Sequence, residues 1–415
     1  MSRAVIQVTY DGVTSRYCGV GTVSHAITKS VGTAAEETGD FSYYVVTPLN
    51  HEGCLGYDPE LLEDTVEACR ETGGEVRYIS DGSKGLEQFG GVKRWETASA
   101  SAAGQIIDIA LRHEKTLVIC QDTPYMKACW LADQQLKDTE IDIVWVPHGT
   151  GRNQQQGMDV SYDDWIEFED SNMEKLLRSE SISVGAISRF MRSHLREKYG
   201  IPEEKIVDFT DGIHPEMYET DEMPEDVFSE LGLDRKPTFL AFGRAERYKG
   251  LQDVVSGFQQ KAQLLVVAND QTSLDPNTDE LREAAERRDN IRIVDGFLED
   301  EKLHALMKHP EMIGVVVSSL AEPFGLIPEE VRILCRESGA VPIVSDVDGL
   351  SEQVEDGLDG FKFEAGNAES LNSALERALE LDEKERQEMR KKGYEKFSER
   401  YDMRKNFSRL LRQWL

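Results

Sequence analysis

Several things are scarce in this 415-residue chain. No stretch approaches the roughly 18 consecutive apolar residues that a membrane span requires. Cysteine is rare, and the six present (Cys18, Cys54, Cys69, Cys120, Cys129, Cys335) never form a C-x-x-C pair. A zinc site or a disulfide framework is therefore not expected, and the thiols should be reduced and mostly buried. The opening residues, MSRAVIQVTYDG, contain no signal-peptide core or cleavage site. They read as the first strand of a cytoplasmic protein. Basic residues are also in short supply, 47 against 78 acidic ones, for a net charge of −31 and a pI of about 4.7. Such a surface repels phosphate backbones and anionic lipids, so nucleic acid and membranes are poor partners. Arginine outnumbers lysine 27 to 20, which together with the acidic excess points to a salt-adapted, halophilic source.

Short Val/Ile-rich runs recur along the chain. AVIQV, SYYVV, EVRYI, TLVIC and DIVWV fall in the first half. SVGAI, TFLAFG, LLVVA, IRIVDG, MIGVVVSS and AVPIVS follow. Amphipathic stretches such as PELLEDTVEACRETGG, SRFMRSHLREKYG and DEKLHALMKHP separate them. Strand–helix alternation with apolar strands signals parallel sheets covered on both faces. The expected fold class is α/β, with two doubly wound, Rossmann-like domains. The rhythm stops in a turn-rich, acidic stretch at 209–235, which gives domains 1–215 and 216–393. A last helical segment, 394–415, is expected to cross back to the first domain. From Lys384 onward the chain carries eleven basic and five acidic residues, the reverse of the rest.

Chemistry concentrates in two segments. In SSLAEPFGLIPEEVRIL an apolar strand runs through a loop into a helix with Pro328 in its first turn. Glu322 and Glu330 bracket Gly325. The helix N-terminus favours phosphate, Gly325 allows close backbone approach, and the two carboxylates can accept from hydroxyls. Eight residues span at most roughly 12 Å if helical, about the reach from a sugar across a diphosphate to a ribose. In TFLAFGRAERYKGLQDVV, Arg244 follows Gly243 at a strand end and Lys249 precedes Gly250. Two cations beside a glycine loop can clamp a diphosphate, at the strand edge where open α/β sheets bind ligands.

GRAERYKG followed by EPFGLIPEE, in that order and separation, resembles the donor half of a GT-B glycosyltransferase, similar to the retaining family 4 (group 1) enzymes. The likeness covers most of residues 117–380. It implies two domains facing a central cleft and transfer of a hexose from a UDP- or GDP-sugar to a hydroxylated, soluble, small or oligosaccharide acceptor in carbohydrate biosynthesis. It implies no required cofactor and no metal. By the same resemblance Arg244 and Lys249 hold the diphosphate. Glu322 binds sugar hydroxyls, and the backbones of Phe324, Gly325 and Leu326 meet sugar and phosphate oxygens. Glu330 takes the ribose, while Gly296 and Phe297 lie near the base. His148, at the end of DIVWVPH, would contact the transferred sugar. Gly19 and Gly21 in CGVGTVSHAI match the glycine-rich loop after the first strand. That loop lacks G-x-G-x-x-G, which argues against a dinucleotide dehydrogenase.

There are departures. Asp348-Gly349 stands where the family often has two glycines, and Asp211 where it often has Asn. Asp346-x-Asp348 lies in the wrong loop for a metal-dependent transferase and reads as an acidic loop. The acceptor loops would be 11–24, 48–58 and 151–165. A nucleotide-sugar epimerase or phosphorylase could share the scaffold. A phosphorylase would need a pyridoxal-binding lysine context, which the sequence lacks; an epimerase would need no acceptor. A non-catalytic sugar-binding partner subunit is expected to lose Arg244, Lys249, Glu322 or Glu330, and all four are present.

Overall fold

The computed structural model describes every residue except 1, 51, 55, 82–90, 156–160, 220–226, 271–276 and 287. Parts of the expected acceptor loops 48–58 and 151–165, and of the expected domain break at 209–235, thus lie outside the described residues. The chain forms two compact units. The first comprises residues 1–153, 162–214 and 401–415, and the second 154–161 and 215–400.

The first unit is built on seven parallel strands: β1 (Arg3–Val8), β2 (Ser42–Pro48), β3 (Val76–Ile79), β4 (Lys115–Gln121), β5 (Glu140–Val146), β6 (Ile182–Ala186) and β7 (Ile206–Asp208). Their order is β3-β2-β1-β4-β5-β6-β7. The central strands β1 and β4 pair in register from Arg3–Lys115 to Val8–Cys120. Helices cover both faces of these strands, so residues of both parities are buried. Leu117, Val118, Ile119 and Cys120 are all inside, which is why β4 reads as an unbroken apolar run.

The second unit repeats the plan with β8 (Thr238–Arg244), β9 (Gln263–Asn269), β10 (Ile291–Asp295), β11 (Met312–Val317), β12 (Val341–Ser345) and β13 (Phe361–Phe363). The order is β10-β9-β8-β11-β12-β13. Its core joins Phe239, Leu264, Val266, Val316, Ile343 and Phe363 to Leu371 and Leu375 of the helix Ala368–Glu380. In each sheet the winding direction reverses once, between β1 and β4 and between β8 and β11. Crevices at such reversals are where open α/β sheets bind ligands. Two doubly wound parallel sheets are the fold class read from the strand pattern.

The short edge strands β7 and β13, three residues each, were not anticipated, because three residues carry no readable periodicity. The helix in SRFMRSHLREKYG runs Arg189–Tyr199. Ser188 caps it by accepting the Met191 N–H at 3.0 Å, and Gly200 ends it at φ 65°.

The C-terminal segment differs from the single helix expected. It is two helices, Glu383–Arg400 and Met403–Trp414. The break is pinned at Tyr401–Asp402, where the Ile213 N–H donates to the Tyr401 carbonyl and the Met403 N–H to the Ile213 carbonyl. Gly212 permits this passage, since a Cβ there would lie 2.2 Å from the Tyr401 carbonyl oxygen. Residues up to Arg400 belong to the second unit and those from Tyr401 to the first. The last helix buries Met403, Phe407, Leu410 and Leu411 against the helices Gly19–Lys29 and Val31–Thr38. No helix among the described residues is long and apolar enough to cross a membrane.

Candidate active site

In the second unit the loops that leave the adjacent strands β8 and β11 meet. Arg244 is the last residue of β8, and Arg247–Lys249 form a short 3-10 turn. Gly250 follows at φ +67°, and a Cβ there would sit 2.1 Å from the Ser318 carbonyl oxygen. The glycine thus lets the β8 loop touch the end of β11. Ser318 Oγ donates to the Lys249 carbonyl at 2.8 Å and fastens the contact.

Lys249 Nζ then donates to Glu322 Oε2 at 2.5 Å, and Ser319 Oγ donates to the same oxygen at 3.0 Å. Burial disfavours the charged ammonium, but the Glu322 carboxylate outweighs it and holds the Lys249 pKa above the usual lysine range. Arg244 donates from Nη2 to the Tyr248 hydroxyl and from Nη1 to Glu246. The buried Tyr248 ring carries both cations: the Arg244 guanidinium carbon is 5.5 Å from its centroid and Lys249 Nζ is 5.0 Å away. Tyr248 holds the two expected diphosphate cations together, and the sequence pattern missed it. An aromatic between two cations is a signal that could have identified it.

Glu322 is also held through its backbone. Its N–H donates to Asp348 Oδ2 at 3.1 Å, and its carbonyl accepts from the Gly349 N–H at 2.9 Å. A Cβ at Gly349 would meet the Pro323 carbonyl at 2.1 Å. The carboxylate that stood out in the sequence as odd therefore braces the Glu322 loop, and Asp348 adopts a left-handed φ of 42° to do so. Asp346 turns away to Ser351 and Lys362. Among the described residues no three His, Cys, Asp or Glu side chains gather as a metal site.

Gly325 (φ +84°) packs against Glu322 and Leu350, Phe324 is buried, and Leu326 precedes the helix Ile327–Leu334. Its two neighbouring glutamates separate. Glu329 is fully buried and paired at 2.5 Å with Arg332, which also meets Asp359 at 3.3 Å. Burial pushes Glu329 up to about 7. Glu330 is half-buried and accepts from the Tyr218 hydroxyl at 3.1 Å. Gly243 has open space around it. Gly296 and Phe297 follow β10, two strands from β8. Phe297 is exposed, and β10 is the edge strand of its sheet.

In the first unit, His148 follows β5, and its side chain is only 8% exposed. Nδ1 lies 3.0 Å from Asp211 Oδ2 and Nε2 lies 2.7 Å from Gln121 Oε1. The stretch containing Gly19 and Gly21 is the first turn of the helix Gly19–Lys29, not a loop. The reason is an internal anion. Asp11 accepts from Ser15 Oγ at 3.0 Å and from the Tyr17 and Cys18 N–H groups at 3.1 Å each. A Cβ on Gly21 would lie 2.3 Å from Asp11 Oδ2. The close approach expected at Gly21 is made by the protein's own carboxylate, at the helix end that favours negative charge. Burial raises Asp11 to about 6.

Residues 223–396 match the family model for glycosyl transferases group 1. An uncharacterized glycosyltransferase of Methanocaldococcus jannaschii is 24% identical over 215 residues, which are 50% of this chain and 53% of that protein. The chain thus aligns with about half the length of the curated relative it matches. Among solved structures, a sucrose-phosphate synthase from Thermosynechococcus elongatus is similar over 99% of this chain and 98% of its own, with a TM-score of 0.71 at 17% identity. A glycosyltransferase from Rickettsia africae covers 100% and 98%, with a TM-score of 0.69 at 16% identity. The Anabaena protein HepE, solved with UDP and glucose, covers 99% and 98%, with a TM-score of 0.66 at 16% identity. At these identities the structural likeness establishes the fold, which is GT-B.

Proposed function

We propose, for a chain whose residues 223–396 match the model for glycosyl transferases group 1, that it moves a hexose from a nucleotide diphospho-sugar to a hydroxylated acceptor. The observation that carries this is the joining of Arg244, Lys249 and Glu322 at the β8/β11 reversal. Arg244 and Lys249 hold the diphosphate, aided by the N-terminus of the helix Ile327–Leu334. They stabilise the charge that develops as the sugar leaves, a preorganised electrostatic role. Such cations perform the task a metal serves in other transferases, so the reaction is metal-independent. Glu322 takes sugar hydroxyls and Glu330 the ribose. Phe324, Gly325 and Leu326 supply backbone contacts, Gly243 leaves room at the strand end, and Gly296 and Phe297 border the base.

The Lys249–Glu322 ion pair closes without ligand. Donor binding therefore divides it, with the ammonium turning to phosphate and the carboxylate to hydroxyls. Among the described residues no carboxylate is identified as a covalent nucleophile, so the acceptor attacks on the face the diphosphate leaves, passes its proton to it, and the anomeric configuration is retained. His148 in the first unit touches the transferred sugar. The base is uracil or guanine; HepE, solved with UDP and UDP-glucose, supports uracil. The acidic surface favours a soluble acceptor and a salt-rich cytoplasm.

Calorimetric titration with UDP, GDP and their sugars tests this. One nucleotide series is expected to bind, with affinity lost in Arg244→Ala, Lys249→Ala and Glu322→Ala and unaffected by EDTA. Binding of none, or full transfer by those variants, refutes it. NMR of the product anomer decides retention. Conversion of the donor without an acceptor would favour the epimerase instead.

A further inference from the structure

In the first unit, three strand ends meet at one imidazole, and a fourth is joined to them through Asp122. His148 (after β5) meets Asp211 (after β7) through Nδ1 at 3.0 Å and Gln121 (the end of β4) through Nε2 at 2.7 Å. Its main-chain N–H donates to Asp122 Oδ1 at 3.3 Å, and Tyr10, after β1, donates its hydroxyl to Asp122 Oδ2 at 3.0 Å. The Asp122 carbonyl accepts from Trp145 Nε1 at 3.0 Å. Asp122 makes these bonds from a left-handed φ of 69°. For a residue with a Cβ that conformation is a strained one, and such strain clusters at functional sites. Asp211 is 4% exposed in its side chain, and its second oxygen, Oδ1, is buried with no partner among the described residues.

The donor count is what matters. A neutral imidazole carries one N–H, yet here both ring nitrogens face an oxygen. With Asp211 ionised and the Gln121 oxygen turned to the ring, both contacts are made together only when both nitrogens are protonated. The charged groups acting on the ring are Asp211 and Asp122, while Gln121 faces it as a neutral group and Tyr10 is bonded to Asp122. Asp11, on the same β1 loop, is turned to Ser15, Tyr17 and Cys18. We propose that Asp211 is a positioning residue that keeps His148 a doubly protonated imidazolium, with the Nε2–H, parked on Gln121 in the free protein, as the donor offered to a substrate oxygen. Where the family resemblance puts Asn, a neutral amide would supply no such charge. Burial disfavours the cation, but the Asp211 carboxylate and then Asp122 outweigh it and hold His148 above the usual imidazole range. The catalytic part of the proposal rests on His148 touching the substrate, as read above; the coupling of Asp211 to His148 does not.

The test uses the full chain with 15N-labelled histidine, its His148 signals assigned by their loss in His148→Gln. Long-range proton–nitrogen NMR is expected to show both ring nitrogens protonated at pH 7. In Asp211→Asn the titration midpoint should fall by roughly one unit or more. In kinetics the alkaline limb of kcat should move down by the same amount, with the KM for nucleotide sugar unchanged. Gln121→Glu, which adds a second facing carboxylate, should raise the midpoint and serves if Asp211→Asn does not fold. A neutral His148 at pH 7, the result if the Gln121 amide is reversed, overturns the proposal, as does an unchanged midpoint in Asp211→Asn or, where that variant does not fold, in Gln121→Glu. Shifted midpoints without turnover of any nucleotide sugar would refute the transferase reading and leave the Asp211–His148 coupling standing.

Discussion

Lys249 Nζ and Glu322 Oε2 are 2.5 Å apart although 73 residues separate them in the chain. Each is the other's partner before any ligand arrives. Glu322→Gln should lower stability by about 1–3 kcal/mol, because a mostly buried ammonium loses its charged acceptor. Lys249→Met should do the same from the other side. The double variant Lys249→Met/Glu322→Gln should recover part of the loss. Urea unfolding of the four proteins checks this, and purely additive losses would contradict the pairing.

Glu329 and Glu330 are adjacent, yet their variants should behave oppositely. Glu329, Arg332, Asp359 and Lys396 form a buried ionic network, with Lys396 2.8 Å from Asp359. Arg332→Ala leaves Glu329 without its cation, while Asp359 keeps Lys396, and should cost about 3–5 kcal/mol. Glu330→Ala gives up the bond from Tyr218 and should cost only about 1 kcal/mol, while nucleotide affinity falls. Denaturation midpoints and calorimetry on the two variants separate the roles.

Gly250→Ala should be among the more damaging small changes. The left-handed backbone alone costs roughly 1–2 kcal/mol, and the new methyl meets the Ser318 carbonyl at 2.1 Å. Since that contact joins the β8 and β11 loops, nucleotide binding should fall along with thermal stability. Gly104, exposed within the helix Val92–Ala110 with nothing near its Cβ position, is the control. Gly104→Ala should gain about 1 kcal/mol from helix propensity and leave binding alone.

Glu169 gives the first unit a pH dependence. Its carboxylate accepts from Thr123 Oγ1 at 2.9 Å, Trp165 Nε1 at 2.7 Å, the Gly151 N–H at 3.2 Å and the Tyr199 hydroxyl. Burial nevertheless raises it to about 7. Between its unfolded value, about 4.5, and 7 the native state binds more protons than the unfolded one. Stability from this group is therefore lost as pH rises across that window and is constant above it. Glu169→Gln should flatten the slope of unfolding free energy between pH 4.5 and 7. An unchanged slope would mean the carboxylate is ionised throughout.

Two kinds of information met in this fold. The strands β4, β5, β8, β9 and β11 were legible because helices cover both faces, so their residues are apolar without interruption. Arg244, Lys249, Glu322 and Gly325 were legible because short motifs carry their chemistry locally. Tyr248, Tyr218, Gln121 and Ser319 were not, for an ordinary aromatic, amide or hydroxyl becomes informative only once its partner is known, and those partners are brought together by strand order.

By itself the sequence determined two doubly wound sheets, the candidate donor motifs and a net charge of −31, since burial and charge are sums over residue types. Tertiary structure alone decided which of two adjacent glutamates turns inward, that Gly21 admits Asp11, that Asp348 braces Glu322, and that the C-terminal helix breaks at Tyr401. Each of those outcomes depends on a contact between residues distant in the chain, where an ångström of clearance, or one unpaired charge, settles which arrangement is lower in free energy.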